Sequence, residues 1–247
     1  MNLSQKNIII TGGSDGLGLS LAQLLIKQGA NVAIIGRTQS KVDAAVSKLT
    51  TLSQAAGEVA GKAIGFAADV SNFQQLSSVA KQIQQEFSEI HGLVNNAGIW
   101  LEGNLQDQTE QEMSAVIDVN VKGVIFATNL FLPVMLKSKQ SHLINVASTS
   151  GLRGRESQAV YAASKFAVHG FSESLKIDLA DTCVKVSGFY PGGMKTGLFE
   201  KAGFAKDNND WMDPTEVAQI MVHMLEQESH MVMDHVIVNK RRTRTSN

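Results

Sequence analysis

Short apolar runs alternate along the chain with longer segments in which apolar residues recur at helical spacing. The run at residues 8–10 is three consecutive isoleucines, which is typical of a strand buried on both faces of a parallel sheet. Similar runs predict further strands at residues 31–35, 62–67, 91–94, 143–146, 184–189 and 232–238. Because helical patterns fill most of the intervals between them, the sequence predicts an α/β chain built from successive βαβ units.

The helical patterns have recognisable limits. Helices are predicted at residues 19–28, 40–54, 72–88, 109–136, 158–181 and from 214 onward. Ser40 is a candidate N-cap for the second helix, and Asp213 followed by Pro214 is a typical start signal for the last one. The chain shows no repeat, linker or change of composition, so residues 1–247 are predicted to form a single domain.

The composition argues against several classes of partner. The 22 Lys and Arg residues against 23 Asp and Glu residues give a formal net charge of −1, so no overall charge attracts nucleic acid or an anionic membrane. No apolar stretch of about 20 residues is present, and the N-terminus lacks the pattern of a signal peptide. The single cysteine, Cys183, cannot form an internal disulfide. We therefore expect a cytoplasmic protein with no nucleic-acid or membrane partner and no metal site.

A glycine-rich turn follows the first predicted strand. Residues Thr11 to Gly18 read T-G-x-x-x-G-x-G and lead directly into a helical pattern. Glycines let a backbone approach a pyrophosphate, and the free N–H groups of a first helical turn favour its negative charge. Tight packing between a strand and a helix also selects glycine, so the turn indicates either a nucleotide site or a structural contact.

The end of the second predicted strand bears on which dinucleotide would bind. A carboxylate there would hydrogen-bond the ribose 2′-OH of NAD, but the sequence has Gly36-Arg37-Thr38. A guanidinium suits a 2′-phosphate, so this segment favours NADP(H) over NAD(H), although Arg37 is also compatible with a solvated charge. Asp69, after the third strand, is a candidate either for contact with the adenine or for capping the next helix.

Small or polar residues also follow the later strands, where ligands bind in a doubly wound sheet. Asn95 to Gly98 read N-N-A-G, and the asparagines are candidates for bridging strand edges, facing a ligand, or both. Ser148 follows the fifth strand, and Pro191-Gly192 turns the chain after the sixth, so that Thr196 could reach a nicotinamide carboxamide. Asn120 lies within a predicted helix, where it is expected to bind a water, bend the helix or face solvent.

Tyr161 and Lys165 form the pair with the clearest acid–base chemistry. Because they are four residues apart in a predicted helix, they lie on the same face of it. A phenol has an ordinary pKa of about 10, and a nearby ammonium is expected to lower it towards neutrality. Ser148 precedes Tyr161 by thirteen residues, enough chain to place both at one pocket. A Tyr and a Lys at this spacing also occur by chance in many helices.

The sequence leaves the substrate undefined. Residues 198–212 are polar and irregular in pattern, so they are predicted to form a lid over a substrate pocket. Trp100, Leu152, Arg153 and Tyr190 are candidates for an apolar pocket with a cationic rim, although Arg153 and Arg155 are also compatible with solvated loop charges. Residues 240–247 are predicted to be a flexible basic tail.

With these residues assembled, the chain resembles the short-chain dehydrogenase/reductase family of the 250-residue type over nearly its full length. The resemblance rests on motifs that occur in order, namely the T-G-x-x-x-G-x-G turn, N-N-A-G, Asn120, Ser148, Y-x-x-x-K at residues 161–165, and P-G with Thr196. It implies a Rossmann-type, doubly wound parallel sheet of about seven strands with helices on both faces. The last segment departs from the family, because residues 236–241 lack the paired glycines that often help to form a tetramer.

The resemblance also implies a role for each matched residue. Tyr161 is expected to exchange a proton with the substrate oxygen, and Ser148 to hydrogen-bond that oxygen. Lys165 is expected to lower the pKa of the phenol and to hold the nicotinamide ribose, while Asn120 holds a water. The expected cofactor-binding residues are Thr11, Gly12, Ser14, Asp15, Gly16, Leu17, Gly18, Arg37, Thr38, Asp69, Val70, Asn96, Ala97, Gly98, Tyr161, Lys165, Pro191, Gly192 and Thr196.

The leading hypothesis is an oxidoreductase that transfers a hydride between NADP(H) and a small carbonyl or alcohol substrate. The competing hypothesis is a non-catalytic NADP(H)-sensing or scaffold protein of the same fold. A complete set of Asn120, Ser148, Tyr161 and Lys165 favours the enzyme, because a binding protein has no need of a perturbed tyrosine. A homodimer through the helices that carry Asn120 and Tyr161 is preferred over a homotetramer.

Overall fold

In the computed structural model, which describes residues 1–56, 61–203 and 210–241, seven strands form one parallel sheet. The strands are β1 (Asn7–Thr11), β2 (Asn31–Gly36), β3 (Ala63–Ala67), β4 (Gly92–Asn95), β5 (Ser141–Val146), β6 (Val184–Pro191) and β7 (His235–Val238). Their spatial order is β3-β2-β1-β4-β5-β6-β7, so the direction of the strand order reverses between β1 and β4. The predicted Rossmann-type doubly wound sheet is confirmed.

Helices cover both faces of the sheet. They are α1 (Gly16–Lys27), α2 (Gln39–Ala56), α3 (Phe73–Glu86), α4 (Glu110–Ile117), α5 (Gly123–Met135), α6 (Ala159–Asp178), α7 (Leu198–Lys201) and α8 (Pro214–Glu226). One core cluster joins α1, α2 and α8 to the sheet, and a second joins α3 and α5 to its other face. Successive β1 residues supply both clusters, because Ile8 and Ile10 pack in the first and Ile9 in the second. All three isoleucines are fully buried, as the continuous apolar run predicts.

The predicted helix at residues 109–136 is not one regular helix. Its middle, Asp118–Lys122, is a π-helical turn between α4 and α5. The side chain of Asn120 explains the irregularity, since it is fully buried and bonds both backbone groups of Ile99. A π-turn inserts one extra residue into the helix and so can aim a side chain that a regular helix would place elsewhere.

Two further boundaries differ from the predictions. Helix α2 begins at Gln39, so Ser40 lies inside it, and the Thr38 carbonyl accepts the N–H groups of Lys41 and Val42 at the helix start. Strand β7 begins at His235 and not at residue 232. The ammonium of Lys185 donates to the carbonyls of residues 227, 228 and 231, which fixes the loop that leads to the strand. Asp213 and Pro214 start α8 as predicted.

The predicted lid at residues 198–212 and the predicted tail at 240–247 are described in part, because residues 204–209 and 242–247 lie outside the described residues. Among the described residues, only the helical segment Glu110–Met135 is long and apolar enough to cross a membrane by length and composition. Ala127, Phe131 and Met135 of that segment are fully buried against the sheet. Part of its apolar surface therefore belongs to the core, whereas Ile117 and Ile125 of the same segment are exposed.

Candidate active site

The glycine-rich turn brings the end of β1 against the end of β4. Gly12 has a φ of +65°, and a Cβ on it would lie 2.9 Å from the Cα of Ala97. A Cβ on Gly18 would lie 2.4 Å from the carbonyl oxygen of Gly12. These positions therefore need glycine for close backbone packing as well as for any approach of a ligand. Asp15 caps α1, its carboxylate accepting the N–H of Gly16 at 2.7 Å.

Thr11 and Asn96 tie this turn to the next strand end. The Thr11 hydroxyl oxygen accepts the N–H groups of Asn96 and Ala97, each at 3.1 Å. In return the Asn96 amide donates to the carbonyls of Thr11 and Gly12 at 3.0 and 3.1 Å. Thr11 thus positions the site through the backbone, and its side chain does not line the adjoining cavity.

The alternatives left open for Asn95 and Asp69 are now separated. Asn95 is buried and donates to Asn145 at 2.8 Å and to Thr128 at 2.9 Å, so its role is to join strand β4 to its neighbours. Asp69 does not cap α3, because Asn72 does so by accepting the N–H of Gln75. Its carboxylate instead accepts from Ser71, and Asp69 lies in the cavity wall.

A large cavity of about 990 Å³ runs along the carboxyl ends of the strands. Most of the predicted cofactor-binding residues line it: Gly12, Ser14, Asp15, Gly16, Leu17, Arg37, Thr38, Asp69, Val70, Asn96, Ala97, Gly98, Tyr161, Lys165, Pro191, Gly192 and Thr196. Ser148 also lines it, whereas Thr11, Gly18 and Asn120 lie behind its wall. The volume is at the upper end of the usual range for small-molecule sites, as an extended dinucleotide requires.

Tyr161 presents its phenol to this cavity from the first turns of α6. The residue is only 5% exposed, and the side chain of Ser148 lies beside its hydroxyl. Burial raises the pKa of Tyr161 to about 12, and the influence of the neighbouring Ser148 hydroxyl offsets part of that rise. The lowering expected from the sequence is therefore not what this arrangement produces, because burial outweighs the other influences. The phenol is held in its protonated form at neutral pH.

Lys165 lies one helical turn beyond Tyr161, on the same face of α6. Its ammonium donates to the carbonyl of Val146, at the end of β5, at 3.0 Å. The same nitrogen is 5.9 Å from the centroid of the Tyr161 ring. Burial lowers the pKa of Lys165 to about 8. The lysine is thus fixed between the strand end and the tyrosine, and it retains most of its charge at neutral pH.

Asn120 reaches the back of this site through the π-turn. Its amide donates to the carbonyl of Ile99 and to the hydroxyl of Ser164, both at 3.0 Å, and its oxygen accepts the N–H of Ile99 at 2.8 Å. A Cβ on Gly98 would lie 3.2 Å from the Asn120 oxygen and 3.5 Å from the Lys165 nitrogen. A side chain at position 98 would therefore crowd both the Asn120 amide and the Lys165 ammonium, and glycine leaves the space between them open.

Three aromatic rings continue outward from Tyr161. Trp100 lies 4.3 Å from the Tyr161 ring, Phe199 lies 4.7 Å from Trp100, and Trp211 lies 4.7 Å from Phe199, measured between ring centroids. All of them line the cavity. Phe199 and Trp211 belong to the predicted lid, so its two described ends form one wall of the cavity beside the phenol.

Other predictions for the pocket are wrong. Leu152, Arg153 and Tyr190 do not line the cavity. Tyr190 is fully buried on the opposite side of β6, where its hydroxyl lies 2.7 Å from Nδ1 of His169 on α6. The alternation of side chains along a strand decides this, and the sequence does not show which face of β6 meets the ligand.

Sequence reasoning also missed several residues of the cavity wall. These are Lys41, Gln158, Asn239 and Lys240, whereas Arg155, left open as a solvated loop charge, does line the cavity. Lys41 had a usable signal, because it is a cation in the first turn of the predicted helix, four residues after Arg37. The others come from loops whose approach to the site only the fold decides.

Comparison with known proteins agrees with this geometry. The family profile described as short chain dehydrogenase matches residues 6–207. An uncharacterized oxidoreductase of Staphylococcus saprophyticus is 31% identical over 243 residues, covering 96% of this chain and 98% of the relative. The chain therefore belongs to the short-chain dehydrogenase family, and it is an oxidoreductase of that family.

Solved structures share the whole fold. A short-chain dehydrogenase/reductase from Burkholderia phymatum, in complex with NAD, is 25% identical with a TM-score of 0.83, covering 96% of this chain and 90% of that one. An alcohol dehydrogenase from the archaeon Thermococcus sibiricus, complexed with 5-hydroxy-NADP, is 21% identical with a TM-score of 0.85, covering 96% and 99%. At that identity the second likeness concerns the fold alone.

Proposed function

We propose that this protein transfers a hydride between NADP(H) and an apolar carbonyl or secondary alcohol. The observation that carries the proposal is the buried Tyr161 phenol, which faces a long cavity beside Ser148, with the Lys165 ammonium fixed behind it. A structural tyrosine has no need of a serine hydroxyl and a buried cation at the wall of a cavity. The combination suits proton transfer to an oxygen atom that acquires electrons.

The residues divide the work as follows. The nicotinamide, when bound, supplies or accepts the hydride. Ser148 donates a hydrogen bond to the substrate oxygen and so holds it beside the phenol of Tyr161. Tyr161, protonated because burial raises its pKa, gives its proton to the carbonyl oxygen as that oxygen becomes negative. Lys165 stabilises the phenolate that remains, and its neighbour Gly98 leaves room for water to return the proton.

The residues present fit a dinucleotide. The start of α1 and the turn before it line the cavity at Gly12, Ser14, Asp15, Gly16 and Leu17, and the close packing at Gly12 and Gly18 keeps side chains out of the place where a pyrophosphate would be held. At the other end Arg37, Thr38 and Lys41 line the cavity, with no carboxylate at the end of β2. Two cations there suit a 2′-phosphate and support NADP(H). The solved relatives hold NAD in one case and 5-hydroxy-NADP in another, so this preference rests on the two cations.

The cofactor preference has its own test. Arg37→Ala is expected to raise the KM for NADPH by about 10–100-fold, the effect of losing one charge-assisted bond to a phosphate. The KM for NADH should change little, because NADH has no 2′-phosphate. Arg153→Ala is a matched control, since Arg153 is exposed and outside the cavity. An equal effect of Arg37→Ala on both cofactors would show that Arg37 does not bind the phosphate.

The aromatic wall supports an apolar substrate. The ring of Trp100 lies next to the phenol, and Phe199 and Trp211 continue this aromatic wall outward; such surfaces bind hydrocarbon or aromatic groups better than sugars. We propose that residues 198–212 act as the lid that the sequence predicts, since its two described ends form this wall.

A homodimer is part of the proposal. Apolar side chains are exposed on the outer faces of the helices that carry the site, namely Ile117, Ile125, Phe166 and Ile177, with 37, 38, 43 and 79% exposure. An interface there would bury them. The mass in solution, measured by light scattering, distinguishes a monomer, a dimer and a tetramer.

The activity is tested with NADPH and a panel of aliphatic and aromatic ketones, followed by the loss of absorbance of the reduced cofactor. Tyr161→Phe is expected to reduce kcat by about 10²–10⁴-fold, the usual share of a general acid. Binding of NADPH to the variant, followed by fluorescence, checks that the site is still formed. Cofactor binding with no turnover of any ketone by the parent protein would favour the sensing or scaffold hypothesis instead.

A further inference from the structure

A second cluster of reactive side chains lies outside the cavity, on the far side of α6. His169 and Glu173 stand one helical turn apart on that helix, and His235 is the first residue of β7. A nitrogen from each histidine and an oxygen from the carboxylate all lie within 4.8 Å of one another. Because 62 residues separate Glu173 from His235, no local motif marks this cluster in the sequence.

The contacts show that the cluster is arranged around one positive charge. Nε2 of His235 lies 2.7 Å from Oε1 of Glu173. The Lys176 ammonium lies 2.8 Å from the same nitrogen and 2.5 Å from the same carboxylate. One imidazole nitrogen cannot both donate to Glu173 and accept from Lys176. Two acceptors this close together are stable when they share a cation, which here is the Lys176 ammonium.

We propose that His169, Glu173 and His235 form a site for Zn²⁺ or a similar divalent transition-metal ion, which displaces the Lys176 ammonium. Two imidazoles and one carboxylate are a donor set that suits zinc, with a fourth position left for water. Lys176 then keeps its second partner, the carboxylate of Asp234 at 2.5 Å. The displaced cation is therefore still paired.

The movement required is confined to side chains. Zinc with bonds of 2.0–2.2 Å in a tetrahedral site places its ligand atoms about 3.4 Å apart. The three ligand atoms, which lie within 4.8 Å of one another, must come to this spacing, and the 2.7 Å contact between Glu173 and His235 must lengthen. Both side chains have room to rotate, with exposures of 40 and 36%.

His169 is already oriented by a partner outside the proposed ligand set. The hydroxyl of Tyr190 lies 2.7 Å from its Nδ1, and the rings of His169 and His235 face each other at 5.5 Å between centroids. Metal-binding histidines commonly have such a second hydrogen bond, which holds the ring in place. A bound ion would join α6, which carries Tyr161 and Lys165, to the last strand of the sheet.

The test is calorimetric titration of the untagged, EDTA-treated protein with ZnCl₂ at pH 7.5. One Zn²⁺ per chain is expected. His169→Ala and His235→Ala should each weaken binding by at least about 100-fold. Loss of a residue that only hydrogen-bonds a metal ligand costs up to about 100-fold, so the loss of a ligand itself should cost no less. His223→Ala is the matched control, because His223 is an exposed histidine on α8, and it should leave the affinity unchanged.

Lys176→Met gives the opposite and more specific signal. Removal of the competing ammonium should tighten Zn²⁺ binding by about tenfold or more, whereas Lys122→Met, which removes a lysine paired with Asp118 elsewhere, should not. Lowering the pH to 5.5 should weaken binding, since the histidines must lose their protons to bind. Thermal unfolding without metal checks that each variant folds.

Cobalt provides an independent readout. Co²⁺ in a four-coordinate site absorbs visible light, and this band should be present in the parent protein and absent in His235→Ala. No stoichiometric binding in either the parent or Lys176→Met would overturn the proposal. Binding that persists in both histidine variants would overturn it as well, because the ion would then occupy other residues.

Discussion

The buried His142 makes a quantitative prediction about stability in acid. His142 is fully buried on β5, and its Nε2 lies 2.8 Å from the hydroxyl of Ser187. Burial, together with the charge of Lys185 on the neighbouring strand, lowers the pKa of His142 to about 3. The unfolded chain binds the same proton with a pKa of about 6.5. Between these values the unfolded state holds one more proton, so stability falls as the pH falls.

The size of the effect at pH 5 follows from the unfolded chain. There His142 is 1.5 pH units below its unfolded pKa, and each unit is worth about 1.36 kcal/mol, so the free energy of unfolding loses about 2 kcal/mol relative to pH 7.5. Any native pKa of His142 below about 4 gives nearly the same loss of stability, because His142 in the native protein stays unprotonated at pH 5.

The assay is urea unfolding of the parent and of His142→Gln at pH 7.5 and pH 5.0. Glutamine keeps a polar group within reach of Ser187 but does not titrate, so the variant should lose about 2 kcal/mol less than the parent over this interval. His223→Gln, at an exposed position, should show the parent's pH dependence. If His142→Gln loses as much stability as the parent, the buried histidine is not the source of the acid sensitivity.

Two further predictions concern the core and the lid. Asn145→Ala removes the hydrogen bonds to Asn95 and Ser172, at 2.8 and 2.9 Å, and should lower the free energy of unfolding by about 2–3 kcal/mol, or Tm by about 5–10 °C. Scanning calorimetry measures this change, and it should show almost none for Asn104→Ala at an exposed position. Trp211→Ala removes the ring beside Phe199 and should lower kcat/KM for aromatic ketones about tenfold more than for small aliphatic ones; a uniform loss across the ketone panel would contradict a role in substrate choice.

Much of the fold could be predicted because its signals are local. A buried parallel strand needs a continuous apolar run, and the run at residues 8–10 supplies both core clusters from successive positions. The glycine-rich turn was also visible in the sequence, because the close packing of Gly12 where β1 meets β4 leaves no space for a side chain and so requires glycine. Tyr161 and Lys165 needed only the helical period to be placed on one face.

Other features depended on groups far apart in the chain. The π-turn at Asn120 exists because that side chain bonds Ile99, and helix propensity contains no information about such a partner. The face of β6 on which Tyr190 lies was also hidden, because side-chain alternation becomes informative only when the position of α6 is known.

The sequence by itself determined the order of strands and helices along the chain, the glycine turn, and the spacing that pairs Tyr161 with Lys165. Tertiary structure alone decided the protonation of that pair and the meeting of His169 with His235. The physical reason is the same in both cases. Hydrophobic periodicity is a property of neighbouring residues, whereas a pKa and a shared cation depend on burial and on charges brought together from distant parts of the chain.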